Sequence, residues 1–262
     1  MHRFAVFLFF SCTLCASAQS ASQAAPASDL QAITLAQQSI AALTGSASIN
    51  DVTLNANVIS ILGSDNETGT GTFRAKGVSE SRVELSLSNG TRSDVRIATD
   101  GIPAGAWSAS GGTVTAYAQH NCWTDAPWFF PALSSLSQTG NQNFVFKYIG
   151  QEQHLTTLTQ HIQVFQLFPQ DTTGAFQTLS TMDFYLDSVS YLPIAIAFYV
   201  HPDDDMNTNV SIEIELSNYQ LENGSQVPFR IQRTLNGGLT LDASVTTVAF
   251  NIGLSDTLFL LQ

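Results

Sequence analysis

The sequence predicts an α+β protein, mostly antiparallel β, with a strongly curved half-barrel sheet, an N-terminal helix and an aromatic lid segment. Three patterns predict it: one helical stretch near the start, period-two alternation of apolar residues through most of the rest, and one aromatic-rich interruption. The 262 residues are 44% hydrophobic and 11% charged, which is enough apolar material for a large core. Since no internal repeat or linker divides the chain, we expect a single domain over residues 29–262.

The first residues are typical of a secretory signal peptide. A positively charged start precedes an apolar run over residues 4–14, and an Ala-Ser-Ala sequence then fits the small-x-small cleavage rule. This run is shorter than the roughly 20 residues that a membrane span needs. We therefore expect residues 1–18 to be a signal peptide cleaved near Ala18, and residues 19–28 to be a flexible leader. The mature protein is then soluble, periplasmic or secreted, and not an integral membrane protein.

Charge and cysteine content exclude several classes of protein. The chain has 9 basic and 21 acidic residues, a formal net charge of −12. Such a surface repels phosphate backbones and anionic lipid headgroups, so we expect no nucleic-acid partner and no electrostatic docking on membranes. Once the signal is removed, Cys122 is the one cysteine left, so no internal disulfide is expected.

The N-terminal helix is predicted from its two ends and its apolar face. Ser28 and Asp29 are typical of an N-cap, and Gly45 is typical of a residue that ends a helix. Between these ends, apolar residues recur at helical spacing, and this face should pack on the sheet. The apolar face consists of Leu30, Ile33, Ala36, Ile40 and Leu43.

After the helix, the apolar period changes to two, which is typical of antiparallel strands with one buried and one solvated face. The Asn89-Gly90 pair predicts a hairpin turn, and further turns are expected at residues 64–69, 202–207, 222–225 and 236–238. The apolar positions expected on the buried face are Val52, Leu54, Ala56, Val58, Val83, Leu85, Leu87, Val95, Ile97, Met182, Phe184, Leu186, Val210, Ile212, Ile214, Leu216, Leu239, Leu241, Ala243 and Val245.

The width of the predicted sheet implies its curvature. About ten strands spaced at roughly 4.8 Å make a sheet about 50 Å wide. One helix, about 10–12 Å across, cannot cover the apolar face of such a sheet. The sheet must therefore curl and cover itself, wholly or in part, and an apolar hollow inside it would be a site for a hydrophobic ligand. The alternative is a sandwich whose two halves interdigitate without a cavity.

An aromatic segment interrupts the alternation in the middle of the chain, with four large aromatic residues in eight positions. We expect a short helix or loop over residues 126–137 that covers the mouth of the hollow. It acts either as a lid whose rings contact ligand or, as large aromatic residues more often do, as a plug that buries them. The predicted ligand-binding residues are Trp123, Trp128, Phe129 and Phe130 from this segment, Ile33 and Ile40 from the helix, and Ile212 and Ile214 from the sheet.

Two stretches in the second half of the chain resemble a known family. Residues 180–198 read as a strand with an Asp before a turn and a Leu-Pro pair that opens the next strand. Residues 215–259 read as closing hairpins that end in an Asn, a Gly-Leu and a Leu-Phe. With the order of signal, helix and strands, they are similar to the LolA-like periplasmic lipoprotein carriers and outer-membrane lipoprotein-sorting proteins. The resemblance implies an open half-barrel whose helical lid shelters acyl chains from water.

One feature of the lipoprotein carriers has no counterpart in this sequence. The carriers hold a buried Arg in an early strand, which helps to keep the lid shut. Here residues 50–62 contain no cation, and Arg74, beside Phe73, is expected to point outward. The resemblance therefore favours binding of an apolar ligand over lipoprotein transport itself.

Motifs for catalysis and metal binding are sparse. The sequence contains no His-Glu-x-x-His, no Gly-x-Ser-x-Gly and no Gly-rich phosphate loop, so we expect no catalytic residues, no metal, no cofactor and no enzyme activity. His154 and His161 are expected to be surface histidines. Cys122, with His120 two positions away on a strand, suggests either a thiol nucleophile or, more in keeping with its aromatic neighbours, a buried cysteine.

An acidic stretch over residues 203–209 alternates carboxylates and amides in the manner of a calcium loop. However, Thr208 and Ile214 stand where such a loop needs Gly and a bidentate Glu. We therefore expect an acidic hairpin loop in which calcium binding is the minor alternative.

These observations predict an exported protein that binds a lipid or acyl chain in a curved-sheet cavity, with lipid or lipoprotein carriage as its further role. The partners expected are a hydrophobic small molecule or acyl chain and, for carriage, envelope lipoproteins. The alternative function is a non-catalytic structural or interaction module of the envelope.

Overall fold

The structure is a computed structural model that describes residues 26–109, 112–168 and 171–260. The expected signal peptide and residues 19–25 of the expected leader lie outside the described residues. The elements are α1 (Leu30–Thr44), β1 (Asp51–Leu62), β2 (Asp65–Lys76), β3 (Glu80–Leu87), β4 (Gly90–Thr99), β5 (Ile102–Ala109), β6 (Thr115–Ala116), β7 (Phe144–His154), β8 (Thr157–Gln166), α2 (Ala175–Leu179), β9 (Met182–Asp187), β10 (Pro193–Val200), β11 (Val210–Glu222), β12 (Ser225–Leu235) and β13 (Gly238–Phe250).

All strands in the described part of the chain belong to one curved, unclosed antiparallel sheet, which confirms the predicted fold class. The sheet has 13 strands, more than the ten expected, in the order β6-β5-β4-β3-β2-β1-β13-β12-β11-β10-β9-β8-β7. Strands β1 and β13 pair in the middle of the sheet, so the two halves of the chain meet there. Strands β6 and β7, which follow each other in the chain, are the two opposite edges.

The connection between these edges therefore has to cross the sheet, and we call residues 117–143 the crossing segment. It contains short 3₁₀ turns at Gln119–Cys122, Pro131–Leu133 and Ser135–Ser137. The inner face of the sheet carries the buried apolar core, and the crossing segment and α1 both pack on it. This arrangement is the predicted one, in which a sheet too wide for one helix curls round and an aromatic segment closes it.

Helix α1 begins and ends where predicted, but the side chain at its N-cap position does not cap the helix. Gly45 ends the helix with a positive φ of 58°, and its N–H donates to the carbonyl of Ala41. Asp29 stands at the N-cap position, yet its carboxylate accepts a hydrogen bond from the N–H of Tyr148 in β7 rather than from the helix. The hydroxyl of Ser28 likewise accepts from the N–H of Phe146. The contacts of the domain with β7 thus begin within the leader expected at residues 19–28.

The buried side of α1 is rotated relative to the predicted face. Ile33 and Ile40 are partly buried against the core, whereas Leu30, expected on the same face, is 81% exposed because it lies on the solvent side of the first turn. The residues of α1 that are buried are Ala32, Leu35, Ala36, Ser39 and Leu43.

One predicted turn is wrong. The chain reverses at Gly63 and Ser64, and the residues expected to form a turn at 64–69 mostly belong to β2. Their small and polar side chains suit a strand here because β2 lies very close to its neighbour. A Cβ atom on Gly69 would stand 1.9 Å from the carbonyl oxygen of Ser86 in β3, so this approach requires glycine.

Strand β4 shows the faces opposite to those expected. The turn between β3 and β4 has two residues, and Leu87 pairs with Gly90 across it. Odd-numbered residues of β3 therefore share a face with even-numbered residues of β4. Val95 and Ile97, predicted to face inward, lie on the outer face instead. Val95 is buried there because a 3₁₀ turn at Asp256–Phe259 packs over β3 and β4.

The inward positions of β4 are consequently polar. Arg92, Asp94 and Arg96 point to the inner face, opposite Leu85, Val83 and Ser81 of β3 in the strand register. A row of charged side chains therefore enters the half-barrel from the strand that the alternation pattern had assigned to the apolar wall.

The described helices include none with the length and apolar character needed to cross a membrane.

Candidate functional site

A cavity of about 500 Å³ lies on the inner face, at the end of the half-barrel where β1 and β5 end and β13 begins. The cavity lies here because α1 and the crossing segment cover the inner face of the sheet unevenly. Helix α1 lies over β7, β8 and β12, the turn at Ser135–Ser137 contacts β8, and the turn at Gln119–Cys122 contacts β5. Neither the helix nor these turns line the cavity. The apolar side chains that line the cavity are Leu62, Val83, Leu85, Trp107, Ala109, Trp128 and Leu241.

The rim of this cavity is unusually apolar for a surface in contact with water. Leu62 is 53% exposed and Trp107 is 42% exposed, although both line the cavity. Single exposed apolar residues need no explanation, but two at the mouth of one cavity form an apolar entrance. This end of the half-barrel can therefore receive an apolar group without first moving the core.

The crossing segment supplies one wall of the cavity and plugs the remainder of the hollow. Phe129 is fully buried, with its ring centroid 5.4 Å from that of Phe73 in β2, and Phe130 packs on Phe250 at 6.0 Å. Trp128 meets Phe73 edge-on at 6.3 Å and keeps one side facing the cavity. The two phenylalanines thus have the geometry of a plug, and the tryptophan has that of a cavity wall.

Two polar pairs reach the cavity from β4, and both are internally satisfied. The guanidinium of Arg92 pairs with the buried carboxylate of Glu67 and donates to Ser60 Oγ at 2.9 Å. The carboxylate of Asp94 accepts a hydrogen bond from the hydroxyl of Tyr117. Burial, together with the charge of Asp94, raises the pKa of Tyr117 well above its usual range, so the hydroxyl remains a donor.

Arg233 is a third charged residue that lines the cavity, besides Arg92 and Asp94. It lies on the inner face of β12, opposite Leu241 in the register, and its guanidinium carbon is 5.9 Å from the centroid of the Trp128 ring. Burial lowers the pKa of Arg233, and the negative charge of Asp94 partly opposes this effect. Among the described residues, no side chain forms a hydrogen bond or ion pair with its guanidinium.

The eight predicted ligand-binding residues fall into three groups. Trp128 lines the 500 Å³ cavity, and Trp123 lies in a separate pocket. The remaining six belong to the core under α1 and the crossing segment: Phe129, Phe130, Ile212 and Ile214 are buried, and Ile33 and Ile40 pack against them. Their contact with a ligand stays a prediction, because it would require the crossing segment to move.

The pocket beside Trp123 measures about 280 Å³ and lies between β4, β5 and the crossing segment. The Trp123 ring packs edge-on against Phe168 and Phe176, at 4.5 and 4.7 Å. One carboxylate oxygen of Asp125, Oδ2, accepts hydrogen bonds from the N–H and the hydroxyl of Ser135, both at 2.9 Å. Burial raises the pKa of Asp125 to about 6, although these hydrogen bonds oppose the rise.

Cys122 is a buried cysteine, in agreement with the favoured interpretation. It lies in a 3₁₀ turn rather than on the strand that was expected, and its Sγ is 3.9 Å from the carbonyl of Ala118. The imidazole of His120 contacts the carbonyl of Pro202 through Nε2 at 3.0 Å. Burial raises the pKa of Cys122, which disfavours the thiolate. The pair therefore lacks the contact and the electrostatics of a thiol nucleophile with its base.

The prediction of two surface histidines is wrong for His161, which is only 8% exposed. On the outer face of the sheet, its Nδ1 lies 2.6 Å from Glu152 and its Nε2 lies 2.8 Å from Asp183. Its ring also stacks on Tyr185, and His154 stacks on the same tyrosine at 3.6 Å. The alternation pattern places these side chains on a wet face, but it does not show that neighbouring rings bury one another there.

The other polar predictions can be placed as well. Arg74 points to the outer face and pairs with Glu84, as expected. The acidic loop joins β10 to β11 in a hairpin, in which Asp205 accepts hydrogen bonds from the N–H of Asn207 and the hydroxyl of Thr208. Within the described ranges, no group of three or more His, Cys, Asp or Glu side chains is arranged to hold a metal ion.

Sequence reasoning missed three charged residues at the cavity, namely Arg92, Asp94 and Arg233. For the first two, a two-residue turn at Asn89 already requires the change of parity that brings them inside. For Arg233, the signal is one cation in an otherwise apolar alternation of Val227, Phe229 and Ile231.

No protein-family model and no curated protein sequence matches this chain significantly. Solved structures do match. An outer membrane lipoprotein-sorting protein domain from Vibrio parahaemolyticus superposes with a TM-score of 0.57 at 13% identity, covering 87% of this chain and 96% of that one. A DUF1329 family protein from Desulfovibrio piger gives 0.55 at 12% identity, covering 87% and 95%.

A LolA superfamily protein from Nitrosomonas europaea gives a TM-score of 0.51 at 11% identity, covering 87% of this chain and 97% of that one. At these identities, the likeness concerns the fold. In all three cases it extends over nearly the whole of the other chain. The chain therefore has the LolA-like fold that its C-terminal motifs indicated.

Proposed function

We propose that this protein binds a lipid or acyl chain in the 500 Å³ cavity and acts outside the cytoplasm as a soluble binding or carrier protein. The observation that carries the proposal is the apolar cavity with an exposed apolar entrance at Leu62 and Trp107. Its volume lies within the range of roughly 300–1,000 Å³ that is typical of small-molecule sites. The apolar wall, rather than a cluster of reactive groups, is what the cavity offers to a ligand.

Burial supplies the affinity in this proposal. Each methylene removed from water contributes about 0.8 kcal/mol. A chain of about ten or more carbons therefore supports micromolar-scale affinity after the costs of association have been met. The protein's net charge of −12 adds no long-range attraction for an anionic lipid, so contacts inside the cavity must provide the binding energy.

Lipoprotein carriage is a more specific function that this proposal includes. The Vibrio domain with the same fold is described by name as an outer membrane lipoprotein-sorting protein domain, and a half-barrel of this kind suits the acyl chains of a lipoprotein. Residues 50–62 of this chain contain no cation, and Arg74 points outward. Its inner wall therefore lacks the early-strand arginine of the lipoprotein carriers. We therefore place acyl-chain binding first and lipoprotein transport second.

Displacement of a fluorescent fatty acid from the mature chain, residues 19–262, tests the proposal. A Leu85→Trp variant fills the cavity from β3, and we expect it to weaken binding by about tenfold or more, since it removes the space for the chain. Ile59→Trp is the matched control, because Ile59 is 39% exposed on the outer face of β1, away from the cavity.

Saturable binding by the wild type and by Ile59→Trp, with loss in Leu85→Trp, supports the proposal. A wild type that takes up no fatty acid contradicts it, and so does a Leu85→Trp variant that folds and binds as the wild type does. Stoichiometric capture of a protein partner by a chain that binds no lipid would favour the envelope interaction module instead.

A further inference from the structure

The presence of Arg233 makes this cavity chemically different from a purely apolar one. Along β12, the inner face reads Val227, Phe229, Ile231 and then Arg233, so the cation ends an apolar row at the cavity wall. A guanidinium carries five N–H donors in one plane. Among the described residues these donors have no acceptor, and the half-buried side chain lines the cavity. A guanidinium that faces a cavity and has no protein acceptor is free to form charge-assisted hydrogen bonds with a ligand.

No neighbouring carboxylate in the described part of the chain is in direct contact with Arg233. Arg92 is paired with Glu67. Asp94 accepts the hydroxyl of Tyr117 and acts on Arg233 through its charge, without an ion-pair contact. Arg96, which donates to the carbonyl of Thr124, adds a like charge that further lowers the pKa of Arg233. Because an arginine stays protonated at physiological pH even so, its positive charge persists in the cavity.

The contact with Trp128 engages none of the N–H donors of Arg233 in a hydrogen bond, and the side chain lines the cavity. Cation–π attraction acts between the cation and the face of the ring, whereas hydrogen bonds leave the guanidinium in its own plane. An oxyanion can therefore approach the N–H edge while Arg233 remains over Trp128. A carboxylate matches this edge with two parallel hydrogen bonds, the strongest arrangement that arginine makes.

We propose that the cavity selects an anionic amphiphile, a long-chain carboxylate whose headgroup is held by Arg233 while its chain lies against Leu62, Leu85 and Trp107. This inference rests on the proposed binding of acyl chains and names the chemical class of the ligand. One negative charge balances the one unpaired guanidinium. A doubly charged headgroup would leave a surplus charge beside Asp94, so a monoanion fits best.

Binding of three ligands that share a C16 chain tests the inference: hexadecanoate, methyl hexadecanoate and hexadecylamine, measured by displacement of an uncharged fluorescent lipid probe at pH 8.5. We expect the wild type to bind the carboxylate about tenfold or more tightly than the ester, because hydrogen bonds to charged groups are the strong ones. The amine should bind more weakly than the ester, since its charge repels Arg233.

Two variants on the same strand locate the effect. Arg233→Met keeps the length and apolar stem of the side chain and should bind the carboxylate no better than the ester, with little change for the ester itself. Arg230→Met is the control, because Arg230 lies on the exposed outer face, paired with Asp242. It should keep the preference of the wild type.

The possible results are distinct. Equal binding of carboxylate and ester by the wild type, tighter binding of the amine, or a preference that survives Arg233→Met overturns the headgroup assignment but leaves acyl-chain binding intact. If none of the three ligands binds, the proposed function itself fails. The comparison of ligands on the wild type decides the matter even if Arg233→Met does not fold.

Discussion

The guanidinium of Arg233 lies over the indole of Trp128, with its carbon 5.9 Å from the ring centroid. This contact joins β12 to the crossing segment, which also packs on the sheet through the fully buried Phe129 and Phe130. An arginine from β12 thus reaches the covering segment, although the early strand β1 offers no cation. The contact should contribute to stability as well as shape the cavity.

We predict that Arg233 and Trp128 are energetically coupled. In a double-mutant cycle with Arg233→Met and Trp128→Leu, the coupling energy should be about 0.5–2 kcal/mol, the range for a cation over an aromatic ring. The measurement is the free energy of unfolding in urea for the wild type, both single variants and the double variant. The cycle is needed because removal of a buried charge can itself be stabilising.

The control cycle pairs Arg233→Met with Trp123→Leu, since Trp123 packs in the separate 280 Å³ pocket. Its coupling should lie within the roughly 0.3–0.5 kcal/mol expected of independent sites. Equal coupling in the two cycles would show that the Arg233–Trp128 contact does not hold the crossing segment.

The plug makes a large contribution to stability. Phe129 is 0% exposed and packs on Phe73 and Trp128, so Phe129→Ala removes a ring and leaves a cavity that rigid neighbours cannot fill. We expect a loss of about 3–5 kcal/mol in the free energy of unfolding. Leu30→Ala, at a position 81% exposed, should change it by less than about 0.5 kcal/mol. A small effect of Phe129→Ala would instead mean that the segment is a loosely held lid.

Close packing between β2 and its neighbours also limits what the inner face tolerates. A Cβ on Gly71 would lie 2.9 Å from the Phe73 ring and from a Val58 methyl carbon. Gly71→Ala should therefore cost about 1–3 kcal/mol of stability through overpacking. Gly140→Ala is the control, because a Cβ there meets nothing within 4 Å, and it should stay within about 1 kcal/mol of the wild type. Thermal and urea unfolding of both variants provide the comparison, and equal stabilities would refute the prediction.

The sequence predicts most of the fold because each strand repeats one physical pattern. Val52 to Val58, Met182 to Leu186 and Ile212 to Leu216 alternate as expected, and their apolar members do face the core. The need to cover so wide a sheet then requires curvature and a crossing segment. These inferences rely on the apolar area of the sheet and on the spacing of apolar residues along each strand, and both can be read from the sequence.

The site is harder to predict for two reasons. It depends on which face of the sheet the odd- and even-numbered residues of each strand occupy, and on neighbours that are distant in the sequence. Val95 was expected to face the core because it is apolar. The two-residue turn before β4 instead places Asp94 on the inner face. Strand register therefore outweighs hydropathy at this position. No local pattern shows that the Arg233 guanidinium meets Trp128, since the two residues are far apart in the chain. Likewise, the burial of His161 depends on Tyr185 from the next strand.

His161 should make the stability of the protein depend on pH. Burial disfavours its charged form, but the hydrogen bonds and charges of Asp183 and Glu152 outweigh this, so the pKa of His161 is raised. A histidine with a raised pKa stabilises the fold fully below its unfolded pKa of about 6.5, and this stabilisation is lost as pH rises through the folded pKa. The excess stability of the wild type over His161→Gln should therefore shrink between pH 5.5 and 8.5.

Urea unfolding of the two proteins at both pH values measures this difference, and an NMR titration of the imidazole gives the pKa directly. Asp183→Asn removes one of the charges that raise the pKa, so it should bring the titration of His161 to lower pH. A stability difference that grows with pH, or a pKa below that of a free histidine, would contradict the assignment of an imidazolium between two carboxylates.

Asp125 should act in a different pH range. Burial raises its pKa to about 6, against the opposing hydrogen bonds from Ser135. A carboxyl group with a raised pKa binds its proton more tightly in the folded state, so it costs stability as pH rises from about 4 to 6. Asp125→Asn keeps an oxygen that can accept from Ser135 but carries no charge. Its stability relative to the wild type should therefore rise over this interval and stay constant above it, in urea unfolding at pH 4, 5, 6 and 7. A constant difference at all four values would mean that Asp125 titrates normally, and that the crossing segment holds it in contact with water.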